Sequence, residues 1–209
     1  MVRALVISDE IASNLTEGCV RDLAPEVVLS AGDLPWDYVE WVGLVARVPT
    51  VYVPGNHDPS TRKGGPGGVY DADRRVVEVA GLRVAGLGGC VKYRPGPHQY
   101  TQRQYARRAA TMLRAARRTG PVDVLLTHAP PLGLGDEDDA AHLGIEALHP
   151  VLAELEPTWL LHGHIHPFGR QLPDRTVGRT TIRNVVPWKV VDITPRNALP
   201  DDRIDAHSR

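Results

Sequence analysis

The first sixty residues contain three short apolar segments rich in β-branched residues, separated by two segments with helical spacing. The apolar segments, 2–8, 26–30 and 50–53, have the length and composition of buried strands. Between them, apolar side chains recur at helical spacing over 14–23, and a second helix is predicted to begin near Pro35. Strands that alternate with helices form βαβ units, so the sequence predicts an α/β fold with a mostly parallel sheet.

The remainder of the chain predicts further elements of the same domain. We expect a hairpin over 74–79 and 82–87, a helix over 101–118 and buried strands over 122–127 and 158–161. A helical segment over 145–155 is expected to break or restart at Pro150. Antiparallel strands are expected near 176–177, 180–186 and 189–193. Residues 1–194 then form one predicted domain, and the polar residues 195–209 a loosely ordered tail.

The composition excludes several classes of protein. The 209 residues carry a net charge of −1, so a generally cationic coat for nucleic acid is excluded. Two cysteines, Cys19 and Cys90, are too few and too far apart for a disulfide framework or a zinc knuckle. The first residues lack the pattern of a secretory signal, and no apolar stretch reaches the roughly 18 residues of a membrane helix. We therefore expect a cytoplasmic protein with no membrane partner.

Polar residues follow five of the predicted strands at their carboxyl ends, where α/β sheets bind ligands. They supply carboxylate oxygen, amide oxygen and imidazole nitrogen, a donor set that suits Mn, Fe, Zn or Ni. Such a set could hold two cations about 3.5–4 Å apart, with a carboxylate between them. The residues are Asp9, Asp33, Asn56, His57, Asp58, His128, His164 and His166.

These residues belong to five motifs that resemble those of the calcineurin-like metallophosphoesterases, in that family's order. The motifs are Ser8-Asp9, Gly32-Asp33, Gly55-Asn56-His57-Asp58, Thr127-His128 and Gly163-His164-Ile165-His166. Segment 127–133 is most similar to a small single-domain branch of the family. The resemblance implies a four-layer α/β/β/α sandwich of the metallo-dependent phosphatase type.

The resemblance also implies two divalent ions, with Mn the first choice and Fe, Zn or Ni as alternatives. Asp33 would bridge both ions. Asp9 and His166 would hold one of them. The other would be held by the remaining predicted ligands, which are Asn56, His128 and His164.

The implied reaction is hydrolysis of a phosphate ester by a metal-bound hydroxide. His57 would stabilise the transition state or protonate the leaving oxygen, and Asp58 would orient His57. A small phosphodiester or a nucleotide is the preferred substrate, and a phosphomonoesterase is the nearest alternative.

The first motif departs from the family pattern, in which a histidine stands two residues after the aspartate. Ile11 occupies that position and cannot be a ligand. The affected ion could bind more weakly with an extra water, a nearby group such as Glu10 could substitute, or the enzyme could work with one firmly held ion. The same departure leaves open a catalytically weak binding scaffold with this fold.

Two loops contain candidate substrate-binding residues. Lys92, Arg94 and His98 lie in the loop 88–100, and their cationic groups suit a phosphate. His142 lies in the loop that follows the acidic run 136–139. The expected partner is therefore a small phosphate ester.

The predicted helix 101–118 carries six arginines and no acidic residue. Five of the arginines share one face, which we interpret as a solvated face of an amphipathic helix. Binding of nucleic acid along this face, and with it a nuclease, is a less favoured interpretation. The sequence does not predict the oligomeric state.

Overall fold

In the computed structural model, which describes residues 1–60 and 64–196, strands and helices alternate over residues 2–52 and 102–162. The strands are β1 (Val2–Ile7), β2 (Val27–Ser30), β3 (Thr50–Tyr52), β4 (Tyr70–Asp71), β5 (Val76–Val79), β6 (Leu82–Leu87), β7 (Cys90–Val91), β8 (Gln99–Tyr100), β9 (Val124–Thr127), β10 (Trp159–His162), β11 (Arg175–Val177), β12 (Thr180–Asn184) and β13 (Trp188–Ile193). The helices are α1 (Glu17–Leu23), α2 (Trp36–Ala46), α3 (Gln102–Thr119) and α4 (Leu148–Leu155).

Eleven of the described strands form two large sheets, with the orders β13-β1-β2-β3-β4 and β11-β12-β10-β9-β6-β5, and β7 and β8 form a separate two-stranded sheet. Strands β1 to β4 pair in parallel in the first sheet, as do β6, β9, β10 and β12 in the second. Strand β13 pairs antiparallel with β1, and β5 and β11 pair antiparallel at the two edges of the second sheet. The carboxyl ends of β1, β2 and β3, and those of β9 and β10, therefore emerge together at one edge of each sheet.

Alternate residues of a strand pack into different cores. In β1, Ala4 and Val6 lie between the two sheets, whereas Leu5 and Ile7 pack beneath α1 and α2. In β9, Leu125 packs beneath α3 and α4, and its two neighbours lie between the sheets. Strands that are buried on both faces need apolar side chains on both, which is why these segments are mainly apolar and do not alternate with polar residues. The four layers follow the order α/β/β/α, which confirms the predicted fold class.

The helices begin and end close to their predicted positions for local reasons. Helix α1 begins after Thr16, whose hydroxyl accepts a hydrogen bond from the Cys19 amide. Helix α3 begins with a reciprocal capping box between Thr101 and Gln104. Helix α4 begins only at Leu148, so Pro150 lies in the first turn, where its missing N–H costs no helical hydrogen bond.

The predicted arginine face of α3 is exposed. Its apolar side is buried against the second sheet, as an amphipathic helix requires. The sixth arginine, Arg108, lies off this face and forms a largely buried ion pair with Asp73, at 2.6 Å between Nη2 and Oδ1. The arginines of the exposed face are Arg103, Arg107, Arg114, Arg117 and Arg118.

Three features at the C-terminal side differ from the prediction or lie beyond it. Strand β12 is antiparallel to β11 but parallel to β10, and β13 crosses to the first sheet. The predicted domain limit at residue 194 stays a prediction, and residues 197–209 of the predicted tail lie outside the described residues.

Within the described part of the chain, no helix is long and apolar enough to cross a bilayer. The cytoplasmic location stays a prediction.

Candidate metal centre

Loops at the carboxyl ends of five strands meet where the two sheets adjoin. The Asp9 amide donates to the carbonyl of Gly32 at 3.1 Å, which joins the loops after β1 and β2. His128 Nδ1 donates to the carbonyl of Ala31 at 2.8 Å, which joins the second sheet to the first. These contacts bring polar residues from residue 9 to residue 166 into one cluster.

The centre of the cluster contains a fully buried imidazole between two oxygen donors. His128 Nε2 lies 3.0 Å from Asn56 Oδ1 and 3.3 Å from Asp33 Oδ2. Because Nδ1 of this ring is the donor to a backbone carbonyl, the neutral ring presents a lone pair at Nε2. In that state three electron-rich atoms face one another, and either a proton on Nε2 or a metal ion between them removes their repulsion.

The ionisation of this group reflects that repulsion. Burial opposes the charged imidazolium, but the carboxylates of Asp33 and Asp9 outweigh it and raise the pKa of His128 to about 10. Burial also opposes the charge of Asp33, yet His128 and the His57 backbone amide lower the pKa of that carboxyl to about 2. The cluster stabilises added positive charge, and its mixed oxygen and nitrogen donors fit a divalent transition metal.

His164 completes this group of donors. Its ring centroid lies 4.9 Å from that of His128, and candidate ligand atoms of Asp33, His128 and His164 all lie within 4.8 Å of one another. Its Nε2 donates to the carbonyl of Ala141 at 2.8 Å, which leaves Nδ1 as the available lone pair. Burial and the nearby His128 lower the pKa of His164 to about 3, so this ring is neutral.

Asp9 and His166 form the second part of the cluster. Asp9 Oδ2 accepts hydrogen bonds from the Ser8 hydroxyl at 2.6 Å and the His164 amide at 2.9 Å. Its other oxygen, Oδ1, lies 3.8 Å from His166 Nε2. Burial raises the pKa of Asp9. These hydrogen bonds fix Oδ2 of Asp9, while Oδ1 points towards His166. This arrangement could hold a second cation.

Two glycines permit these close approaches. A Cβ atom at Gly163 would collide with Ser8 Oγ and Asp9 Oδ2, and one at Gly55 would collide with the Asp33 carboxylate. Hence the loops after β10 and β3 can pass directly over the acidic side chains only because these positions lack side chains.

Asp58 and His57 have different surroundings. The Asp58 carboxylate is buried, and its Oδ2 accepts hydrogen bonds from the backbone amides of Gly55 at 2.7 Å and Asp33 at 3.1 Å. The His57 ring is exposed, and its Nδ1 lies 3.5 Å from Arg94 Nη2. The Asp58 carboxylate therefore joins the backbones of the loops after β2 and β3. The His57 ring contacts Arg94.

The predicted substrate-binding residues differ in their distance from the cluster. Arg94 reaches His57, and the His142 ring centroid lies 5.4 Å from that of His164. His142 Nδ1 also lies 2.7 Å from Asp139 Oδ2. His98 Nε2 donates to the Pro59 carbonyl at 2.9 Å, beside the loop of His57. Lys92 is exposed, and the hydrogen bond described for it is between its backbone amide and Tyr100.

Two residues outside the predicted ligand set lie beside His166: Glu10, which the sequence offered only as a substitute for the missing histidine, and Phe168, which it did not single out. Glu10 Oε1 lies 2.7 Å from His166 Nδ1. Phe168 is 80% exposed, has a φ of 46°, and places its ring centroid 5.8 Å from that of His166. The signal for both was their position within two residues of a predicted ligand. His162, by contrast, is buried and hydrogen-bonded to the Gly163 carbonyl, and burial lowers its pKa to about 4.

An α/β/β/α sandwich with carboxylates, an amide and imidazoles clustered at its strand ends is the metallo-dependent phosphatase fold. A family model described as calcineurin-like phosphoesterase matches residues 7–168. The chain belongs to this family, as the motifs predicted. The family acts on phosphate esters by hydrolysis and depends on metal ions.

Individual relatives are more distant. The chain is 28% identical to a lariat debranching enzyme of Schizosaccharomyces pombe over 155 residues, which is 58% of this chain and 34% of that enzyme. It is 27% identical to the lariat debranching enzyme of Drosophila melanogaster over 157 residues, 59% of this chain and 29% of that enzyme. The chain thus spans about a third of the length of these curated relatives. A solved structure, that of the Thermus thermophilus protein TT1561, has a TM-score of 0.61 at 16% identity and covers 87% of each chain.

Proposed function

We propose that the protein is a metal-dependent phosphodiesterase that acts on a small diester or a nucleotide. The observation that carries the proposal is the convergence of donor atoms around His128 Nε2, where Asn56 and Asp33 approach to 3.0 and 3.3 Å. In the metal-free protein a proton on Nε2 satisfies these atoms, and a divalent ion would replace that proton. Burying carboxylate and imidazole groups together carries a desolvation cost that a structural cluster has no need to bear, and the metal dependence of the family supports the ion.

The two parts of the cluster would hold two divalent ions, with Mn²⁺ the first choice. Asp33 would lie between them, and Asp9 and His166 would hold one ion. When bound, the ions would supply a nucleophile from water near neutral pH and neutralise charge on the phosphoryl oxygens. The ion that is not held by Asp9 and His166 would be held by Asn56, His128 and His164.

The exposed residues at the rim would bind and protonate the substrate. The guanidinium of Arg94 would bind a non-bridging phosphoryl oxygen by a charge-assisted hydrogen bond. His57, 3.5 Å from Arg94, would donate a proton to the leaving oxygen. Asp58 would keep the loop of His57 in register with that of Asp33 through their backbone amides.

Two observations favour a diester or nucleotide over a simple monoester. The exposed ring of Phe168 beside His166 offers a surface on which a nucleobase or another aromatic group can stack. The name of the two curated relatives, lariat debranching enzyme, describes cleavage at a branch, where a linkage joins two groups. A diester has such a second group, and a monoester does not.

The test is hydrolysis of bis-p-nitrophenyl phosphate and of p-nitrophenyl phosphate, each with Mn²⁺ and with a chelator. We expect metal-dependent hydrolysis that favours the diester, and its loss in His128→Ala. His149→Ala is the matched control, because His149 is an exposed histidine on α4 that bonds the Leu132 carbonyl instead. Preference for the monoester would assign a phosphomonoesterase.

A catalytically weak scaffold is the second candidate, and the identity of Ile11 favours it. Ile11 is 61% exposed and supplies no donor to the cluster. Absence of hydrolysis of both esters, together with absence of bound metal by elemental analysis, would assign the scaffold function.

A further inference from the structure

The turn after β1 determines what can replace the missing imidazole. Asp9 has a left-handed φ of 64°, and the Glu10 amide donates to the Ser8 carbonyl at 2.7 Å. This tight turn directs the Asp9 carboxylate into the cluster and leaves Ile11 in solvent. The residue between them, Glu10, reaches His166 instead.

The contact between Glu10 and His166 fixes which imidazole nitrogen is available. Glu10 Oε1 lies 2.7 Å from His166 Nδ1. An ionised carboxylate can only accept a hydrogen bond, so Nδ1 carries the proton and Nε2 keeps a lone pair in the neutral ring. Nε2 is also the ring nitrogen that lies towards Asp9, at 3.8 Å from Asp9 Oδ1. The lone pair is therefore held on the side of the ring where a cation would bind.

We propose that Glu10 is a positioning residue for His166 and partly compensates for the absent histidine at position 11. This proposal rests on the proposed function, because it concerns the ion held by Asp9 and His166. Glu10 acts through the ring rather than as a ligand, since its carboxylate is bound to Nδ1, whereas Nε2 is the ring nitrogen beside Asp9. The sequence left three outcomes open for the ion that lacks a histidine at position 11. The positioning role of Glu10 corresponds to the first, in which that ion still binds but with fewer protein ligands.

A comparison with the other two imidazoles supports the assignment. His128 and His164 each donate from one nitrogen to a neutral backbone carbonyl, of Ala31 and Ala141. His166 donates to a charged carboxylate, which increases the basicity of the opposite nitrogen more than a carbonyl does. The stronger partner is thus present at the half of the cluster that has lost a ligand.

The experiment compares Glu10→Ala and Glu10→Gln with the wild type in two measurements. The first is nitrogen NMR of the metal-free protein at a pH where His166 is neutral, which reports the ring nitrogen that carries the proton. The second is calorimetric titration with Mn²⁺. Glu17→Gln is the matched control, since it removes an exposed acidic charge that pairs with Arg21 on α1.

We expect Glu10→Ala to lower the population of the Nδ1-protonated tautomer of His166. The dissociation constant of the more weakly bound Mn²⁺ should rise about 10- to 100-fold, and that of the more tightly bound Mn²⁺ should stay unchanged. Glu10→Gln retains an oxygen that can accept from Nδ1, so we expect the wild-type tautomer and an intermediate affinity. Glu17→Gln should behave as the wild type.

The outcomes separate this proposal from the proposed function. If the wild type binds two ions and Glu10→Ala changes neither the weaker constant nor the tautomer, the role of Glu10 is overturned alone. Equal losses of affinity in Glu10→Gln and Glu10→Ala, with the wild-type tautomer kept in Glu10→Gln, would show that affinity does not depend on the hydrogen bond to Nδ1 and would also overturn it. A wild-type protein that binds no Mn²⁺ would overturn the proposed function and the positioning role together.

Discussion

Replacement of Asp58 by alanine removes the carboxylate that joins two loops of the metal centre. Its Oδ2 accepts from the Gly55 and Asp33 amides, and the residue is only 4% exposed. A hydrogen bond to a charged group contributes about 1.5–3 kcal/mol, so loss of both would cost about 3–6 kcal/mol. Burial opposes the charge of Asp58 and raises its pKa, so part of the stabilisation from the two hydrogen bonds is lost to desolvation. We therefore expect a loss of stability at the lower end of this range, about 3 kcal/mol. In a chain of this length that lowers the unfolding temperature by about 6–12 °C.

The assay is thermal unfolding followed by circular dichroism in the presence of a chelator, so that metal binding does not contribute. The unfolding temperature of Asp58→Asn should fall by about half as much as that of Asp58→Ala, because the amide oxygen of asparagine can accept both hydrogen bonds but carries no charge. Asp192→Ala is the control, since it breaks an exposed ion pair with Arg3 that contributes about 0–1 kcal/mol. An unfolding temperature for Asp58→Ala equal to that of Asp192→Ala would refute the loop-joining role and favour the role in orienting the His57 ring.

Three further changes test the rim of the site. His57→Ala should lower kcat about 10²- to 10⁴-fold with calorimetric Mn²⁺ binding unchanged, and altered binding would show that His57 is a ligand. Arg94→Ala should raise KM for bis-p-nitrophenyl phosphate about tenfold, and Arg94→Lys should recover part of the loss; an unchanged KM in both would exclude a substrate contact. Phe168→Ala should lower kcat/KM for a thymidine p-nitrophenyl diester about tenfold or more while sparing the methyl diester, and equal effects on both would exclude stacking.

The sequence was informative about the layers and the motifs for a simple reason. The strands that lead into the motifs are almost entirely buried, so each appears as a short, mainly apolar run, and the polar residues after it mark its carboxyl end. Asp9, Asp33 and His128 could be found in this way. By contrast, β4, β7 and β8 have two residues each, too few for any periodicity. The crossing of β13 to the first sheet was not predicted, because its pattern fits either sheet.

The geometry within the site was less accessible to sequence. The carbonyls of Ala31 and Ala141 determine the tautomers of two histidines, but a backbone carbonyl has no sequence signature and its place depends on the path of a loop. The contact of Glu10 with His166 depends on the left-handed φ of Asp9, a conformation uncommon for a non-glycine residue. Motifs thus located the ligands, and only the fold showed which atoms face one another.

The most direct test of the shared metal centre is the Mn²⁺ stoichiometry of the wild type and of Asp33→Ala, by equilibrium dialysis and elemental analysis. Asp33 Oδ2 lies 3.3 Å from His128 Nε2, and its other oxygen accepts from the His57 amide at 2.7 Å, so this carboxylate faces the middle of the cluster. We predict two ions per chain in the wild type and at most one, weakly held, in Asp33→Ala. Equal stoichiometry and affinity in the two proteins, or no bound metal in the wild type, would contradict a pair of cations shared through Asp33.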